Sequence, residues 1–291
     1  MCTTCGCSDA AGVRISNLEG SQAGQPQSHV HDHEHPHDHP HRHDDGGHAH
    51  QTHDDGERTT ISLEQNLLAK NDLLAARNRG WLEGRGIRAF NVMSSPGSGK
   101  TTLLVRTIQE QGSTLNIGVI EGDQETSVDA ERIRATGRPV IQINTGAGCH
   151  LDAEMLRHGL DALNPEAGST VFIENVGNLV CPALFDLGES AKIVIISVTE
   201  GDDKPLKYPH MFMAADLVII NKSDLLPYVD FDVDGCLRQA QQLNPGVEML
   251  IVSATTGEGL DGWFDWIRNQ AGTPAVLGAA PREHRISSLM P

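Results

Sequence analysis

The nine residues Ser94-Ser95-Pro96-Gly97-Ser98-Gly99-Lys100-Thr101-Thr102 constrain the fold of this 291-residue chain more than any other stretch. They follow an apolar run, Ala89-Phe90-Asn91-Val92-Met93, and open a helical pattern through Leu103, Leu104, Val105 and Ile108. Strand, tight loop, helix is the setting of a phosphate-binding P-loop. In such a loop the backbone N–H groups from Gly97 through Thr102 cradle the α/β-phosphates, Ser98 included. Lys100 reaches the β/γ-phosphates and the Thr101 hydroxyl sits on Mg²⁺. Gly97 and Gly99 let the backbone come close. The first position, normally Gly, is Ser94 here, and the bland alternative is a Gly/Ser-rich turn that ends in Lys-Thr.

Beyond Arg85, short β-rich runs alternate with helical segments, which predicts an α/β fold, a mostly parallel sheet with helices on both faces. The expected strands are Ala89–Met93, 116–120, 139–143, 170–174, 192–198, 216–220 and 247–252. Ligands of such sheets bind beyond the carboxyl ends of the strands, and the polar signals fall there. Glu121-Gly122-Asp123-Gln124 ends the second strand. Asp123 is the first choice to hold Mg²⁺ or its waters and Glu121 the second, unless either is a solvated loop acid. Glu174-Asn175-Val176-Gly177 has the spacing of a GTPase switch, with Glu in place of Asp, so Gly177 can offer its N–H to a γ-phosphate. Asn221-Lys222-Ser223-Asp224 carries the guanine signature: the Asp224 carboxylate accepts from guanine N1–H and its exocyclic amine, which adenine cannot match. Lys222 lies over the ring, Asn221 braces the loop, and Ser253-Ala254 back the base. Together these motifs predict GTP/GDP with Mg²⁺, hydrolysed slowly by positioning and charge neutralisation through Lys100, Thr101 and Asp123.

The formal net charge of −17 argues against a nucleic-acid footprint. No apolar run approaches the ~20 residues of a membrane span and no signal peptide is visible, so the expectation is a soluble, cytoplasmic protein. In a reducing cytosol the six cysteines are metal ligands or core residues rather than disulfides. Cys2, Cys5 and Cys7, in a motif spanning residues 1–10, can wrap one soft or borderline ion. With the amine of Cys2 freed they would suit planar Ni²⁺, with tetrahedral Zn²⁺ a competitor and a loose terminus with incidental thiols the alternative. Residues 11–58 are read as disordered and metal-binding. They carry His31, His33, His35, His37, His39, His41 and His43 among acids and prolines, a composition that cannot bury a core. A helix over 59–84 is expected to dock this tail onto a domain at 85–275, and a C-terminal tail follows over 276–291.

Cys149-His150 follows a Gly-rich turn, and Cys181 lies four residues beyond Gly177. The three form an incomplete Zn²⁺ or Ni²⁺ set that two copies could complete across a two-fold axis, or else they are buried thiols beside a polar loop histidine. Cys236 reads as core.

The Cys-x-x-Cys-Gly-Cys start, the His tract, the Ser95–Thr101 loop, Gly148-Cys149-His150-Leu151-Asp152, the run from Glu174 to Pro182 and Asn221-Lys222-Ser223-Asp224 together resemble the HypB family of SIMIBI-class P-loop GTPases. The resemblance implies a GTP-gated homodimer with metal ligands at Cys149, His150 and Cys181, a high-affinity N-terminal nickel site, and nickel delivery to the [NiFe] hydrogenase large subunit precursor. It also implies a HypA-type and a SlyD-type partner. Two rivals remain at this point: a nickel storage protein, and a urease-maturation GTPase.

Overall fold

The computed structural model describes residues 14–17, 55–124 and 128–272. Among the described residues eight strands form one sheet: β1 (Arg14–Asn17), β2 (Arg88–Ser94), β3 (Ile117–Asp123), β4 (Val140–Asn144), β5 (Thr170–Gly177), β6 (Ala191–Ser197), β7 (Leu217–Asn221) and β8 (Glu248–Ile251), in the order β1-β4-β3-β5-β2-β6-β7-β8. The helices are α1 (Asp55–Gly84), α2 (Lys100–Gln111), α3 (Val128–Arg134), α4 (Ala153–Leu163), α5 (Cys181–Leu184), α6 (Lys204–Lys207), α7 (Pro209–Ala214), α8 (Val233–Leu243) and α9 (Leu260–Gly272). A 3₁₀ turn covers Ser223–Tyr228.

β2 through β8 pair in parallel, as expected for strands buried on both faces. Side-chain alternation assigns each helix to a face. Phe90 and Val92 of β2, Ile193 and Ile195 of β6 and Val119 of β3 pack with Leu104 and Ile108 of α2 and with Trp263 and Ile267 of α9. The intervening residues face the other way. Ala89 and Ile173 join Leu82 of α1 and Leu156 of α4, and Met93 and Ile196 join Phe212 of α7 and Cys236 of α8. Cys236 is thus a core thiol, pushed up to about 12 by burial first and then by Asp202 and Asp232. From β2 the chain passes to the β5, β3, β4 side and returns to β6 on the other, so the P-loop leaves the sheet at its topological switch point.

Several expected boundaries shift. β3 runs on to Asp123 and β5 to Gly177, so the polar ends of both strands remain in the ladder instead of forming loops. The last strand is shorter than expected, and α1 starts at Asp55 rather than at residue 59. Residues 11–58, read as structureless, contain a strand: Arg14–Asn17 pairs antiparallel with β4, Ile15 opposite Ile143. The reason is local to the sheet, because β4 would otherwise present an unpaired edge. Cys2, Cys5, Cys7, the histidines from His31 to His43 and the 276–291 segment lie outside the described residues. No helix among the described residues is long and apolar enough to cross a membrane.

Candidate functional site

The loop between β2 and α2 is shaped by its glycines. Gly99 has φ 99°, and a Cβ there would collide with Asn221 Nδ2. Only Gly satisfies both the left-handed backbone and the close approach. The Asn221 amide donates to Ser98 O at 2.8 Å and accepts from Ala254 N at 3.1 Å, so one buried side chain ties the P-loop to the loops after β7 and β8. Lys100 Nζ donates to Ser94 Oγ at 3.0 Å. The residue that departs from the usual P-loop pattern therefore holds the lysine over the cradle. Ser95 bonds the Glu200 carboxylate, and Thr102 Oγ1 accepts from Arg132 Nη2 at 3.1 Å.

Two buried acids meet behind this loop. The parallel register sets Glu121 of β3 opposite Glu174 of β5, and Thr101 Oγ1 donates to Glu174 Oε1 at 2.6 Å. Glu121 Oε2 and Glu174 Oε2 are buried without a hydrogen-bond partner. Burial, then the Glu174, Asp123 and Asp129 charges, push Glu121 up to about 9. Burial also raises Glu174, against the opposing pull of Lys100 and Thr101. Two carboxylates side by side in a dry site cannot both ionise without a cation. Hard oxygen donors with unused lone pairs beside a P-loop threonine suit Mg²⁺. Asp123, the first choice from sequence, stands half-buried at the end of β3, its carbonyl accepting from Thr145 N at 2.9 Å.

After β7, Lys222 has φ 63° and its Nζ donates to Gly97 O at 2.7 Å. A lysine held in the left-handed region is uncommon and marks a constrained loop. Asp224 Oδ1 accepts from Ser253 Oγ at 2.5 Å, which fixes the carboxylate at the mouth of the cradle.

Cys149, His150 and Cys181 come together with their ligand atoms all within 4.8 Å of one another. The two sulfurs, neither of them in a disulfide, lie 3.0 Å apart, and Cys149 Sγ lies 3.6 Å from His150 Nδ1. His150 is buried and stacks on Phe185, ring centroids 3.9 Å apart. Burial lowers its pKa, partly opposed by Asp152, so the imidazole stays neutral and able to ligate at neutral pH. Asn178 Nδ2 donates to Cys149 O at 3.3 Å, joining the two ligand-bearing segments. The end of β5 also comes up against the P-loop: a Cβ on Gly177 would meet Pro96 atoms at 3.2 Å.

Residues 88–251 match the nucleotide-binding domain of the CobW/HypB/UreG family. The hydrogenase maturation factor HypB of Rhizobium leguminosarum bv. viciae is 58% identical over 216 residues, 74% of this chain and 72% of the relative. The chain belongs to the HypB family. The HypB of Escherichia coli K12 is 46% identical over 291 aligned residues, which cover 93% of this chain and 99% of that one. A crystal structure of Helicobacter pylori HypB in complex with nickel superposes with a TM-score of 0.65 at 39% identity, covering 69% of this chain and 95% of that one. Membership makes this a P-loop GTPase domain of the SIMIBI class within a family of hydrogenase maturation factors.

In this HypB-family chain the structure brings Gly97 through Thr102, Asn221, Lys222, Asp224, Ser253 and Ala254 around one cradle. Reasoning from sequence assigned Glu174 no ligand role, although an acid one strand over from Glu121 was the available signal. Ser94 as the lysine's partner carried no signal at all, because only the folded loop brings the two side chains together.

Proposed function

We propose that this chain is a GTP-hydrolysing nickel metallochaperone, which holds Ni²⁺ as cargo and releases it to the [NiFe] hydrogenase large subunit precursor under control of the bound nucleotide. The observation that carries the reading is the single run from Gly177 to Cys181: its start packs on Pro96 of the P-loop, and its end supplies a thiol of the Cys149–His150–Cys181 triad. The likeness to a nickel-bound relative supports nickel as the cargo.

Asp224 and Lys222 select guanine. Backbone N–H groups from Gly97 to Thr102 hold the phosphates, and Lys100 leaves Ser94 to neutralise the β/γ-phosphates. Thr101, Glu121 and Glu174, with Asp123 behind them, would hold Mg²⁺, which supplies charge neutralisation on the transferring phosphoryl group. Water attacks the γ-phosphorus, the bond to the β-phosphate oxygen breaks, and GDP and phosphate leave. Catalysis rests on positioning and charge neutralisation without a dedicated side-chain base, so turnover is slow. Gly177 N–H reads the γ-phosphate, and its movement carries Cys181 toward or away from Cys149 and His150. By linkage, the nickel state changes nucleotide affinity by the same factor.

A triad with three protein ligands is completed by a second copy across a two-fold axis, with Zn²⁺ as a competitor for the site. The Cys2, Cys5, Cys7 motif of residues 1–10 forms the tight nickel site and the histidines of 11–58 a reservoir. The helix of 59–84 docks this tail on the GTPase domain of 85–275, and HypA-type and SlyD-type proteins are the exchange partners. All of this takes place in the cytoplasm.

The test is nickel affinity of the full chain loaded with GDP or with a non-hydrolysable GTP. Different affinities are expected, and equal ones refute the coupling. In cells, Lys100→Ala should abolish hydrogenase maturation unless millimolar nickel is supplied. Intact maturation would favour nickel storage, and loss of urease activity alone would favour urease maturation.

A further inference from the structure

The buried stripe of α1 includes Asn71, Ala75, Asn78 and Leu82, spaced three to four residues apart on one face. Apolar residues would suffice to dock a helix. Two of these four positions are asparagines instead, and their amides reach the backbone of two separate segments. Asn71 Oδ1 accepts from Ala153 N at 2.9 Å while its Nδ2 donates to Asp186 O at 2.7 Å. Asn78 Nδ2 donates to Ala153 O at 2.8 Å and to Leu187 O at 3.0 Å. Arg79 Nη2 forks onto both Asp186 oxygens at 2.7 Å. The helix lies so close to this loop that a Cβ on Gly188 would collide with Ala75 O.

Ala153 lies three residues beyond His150, Asp186 lies five beyond Cys181, and Phe185 between them stacks on the His150 ring. The sheet does not set this spacing. β4 leads to Cys149 and His150, β5 leads to Cys181, and the two strands are separated by β3. At the front, Asn178 and Asn175 join the two segments through Cys149 O and Leu151 N. Asn178 rides on the run that begins at the P-loop, and Asn175 stands in β5 two residues before it. At the back, the Asn71 and Asn78 amides bond Ala153, Asp186 and Leu187 rather than the nucleotide loop.

We propose that Asn71 and Asn78 are positioning residues for the metal triad: they fasten the Cys149–His150 loop to the far end of the Cys181 segment. One end of that segment is then fixed by α1, leaving only the Gly177–Val180 end free to follow the nucleotide. The proposal rests on the triad being a metal site. Losing the Asn71 amide leaves the N–H of Ala153 and the carbonyl of Asp186 without these partners, and losing the Asn78 amide takes a donor from the carbonyl of Leu187 and cuts its tie to Ala153, and the segments relax by separating.

The test uses the full chain with Cys2, Cys5 and Cys7 changed to Ser, so that thiolate-to-nickel charge-transfer absorbance comes from Cys149 and Cys181. A chelator buffers free Ni²⁺, which removes competition from the histidine tract. Asn71→Ala and Asn78→Ala should each raise the free nickel needed for half-saturation about tenfold and alter the band. GDP affinity of the metal-free protein should stay within about twofold. Asn71→Asp, which keeps the acceptor for Ala153 N and loses the donor to Asp186 O, should fall between parent and Asn71→Ala. If Asn78→Ala fails to fold, the Asn71 pair carries the test. An unchanged band and half-saturation in both Asn71 variants would overturn the proposal, as would parallel loss of GDP binding and nickel binding. Absence of any thiolate band in the parent would overturn the triad reading itself, and the proposal with it.

Discussion

The nucleotide cradle and the thiol–imidazole triad stand at opposite ends of one short run, yet they are assembled in different ways. The cradle is a loop of nine consecutive residues whose shape follows from its own glycines, braced from a distance by the Asn221 amide and the Lys222 ammonium. The triad joins two segments that do not neighbour each other in the sheet, and it is framed by Asn175, Asn178, Asn71 and Asn78. A site built from contiguous backbone is legible and rigid. One built from separated segments is adjustable, because its geometry depends on ties that can shift. That difference suits the proposed coupling, in which the nucleotide end would command and the metal end respond.

The comparison breaks most sharply at Gly99. With φ 99° and Asn221 Nδ2 in the space a methyl group would need, Gly99→Ala should weaken GDP binding about 100-fold, read by calorimetry, while the chain still folds. Cys181→Ser should lower nickel affinity at the triad by about 100-fold and leave GDP affinity of the metal-free protein unchanged. A parallel loss of nucleotide affinity in that metal-free protein would show that the two ends are not separable.

The pH dependence of stability tests the carboxylate pair. Glu121 sits at about 9 in the fold against an ordinary 4.5. Between those values the native state binds more protons than the unfolded chain, so stability from this group falls as pH rises. The slope is at most about 1.4 kcal/mol per pH unit. Denaturant melts of metal-free, nucleotide-free protein across this window should show the decline, and Glu121→Gln should flatten it. The smallest effect belongs to Lys70 and Glu154, 3.4 Å apart on the α1–α4 surface with both side chains more than half exposed. Lys70→Ala should change stability by less than about 0.5 kcal/mol and leave the nickel band alone. A large change there would mean that surface charge, rather than the buried asparagines, holds α1 in place.

Much of the architecture could be read without coordinates. The strand–loop–helix at Ser94, the alternation of apolar runs and the order of the polar loops all follow from local chemistry. Asn221, Lys222 and Asp224 stood out because they match a local signature, and the structure sets Asn221 and Lys222 against the P-loop. The unread parts share a cause. Glu174 is an ordinary acid until the β3–β5 register sets it, buried, opposite Glu121. Asn71 and Asn78 pass for polar residues on an amphipathic helix until their partners, about 80 and more than 100 residues away, are in place. The strand at Arg14–Asn17 lies in a stretch whose composition argues against order, and it exists because β4 has a free edge.

By itself, then, the sequence determined the P-loop, the order of the polar loops and the class of sheet, since these depend on residues close together in the chain or on the period of their side chains. Only the tertiary structure decided which acids lie buried and unpaired, and how Cys149, His150 and Cys181 meet. Burial and strand register set the electrostatic cost of a charge and the distance between ligands, and neither is a property of any local stretch of chain.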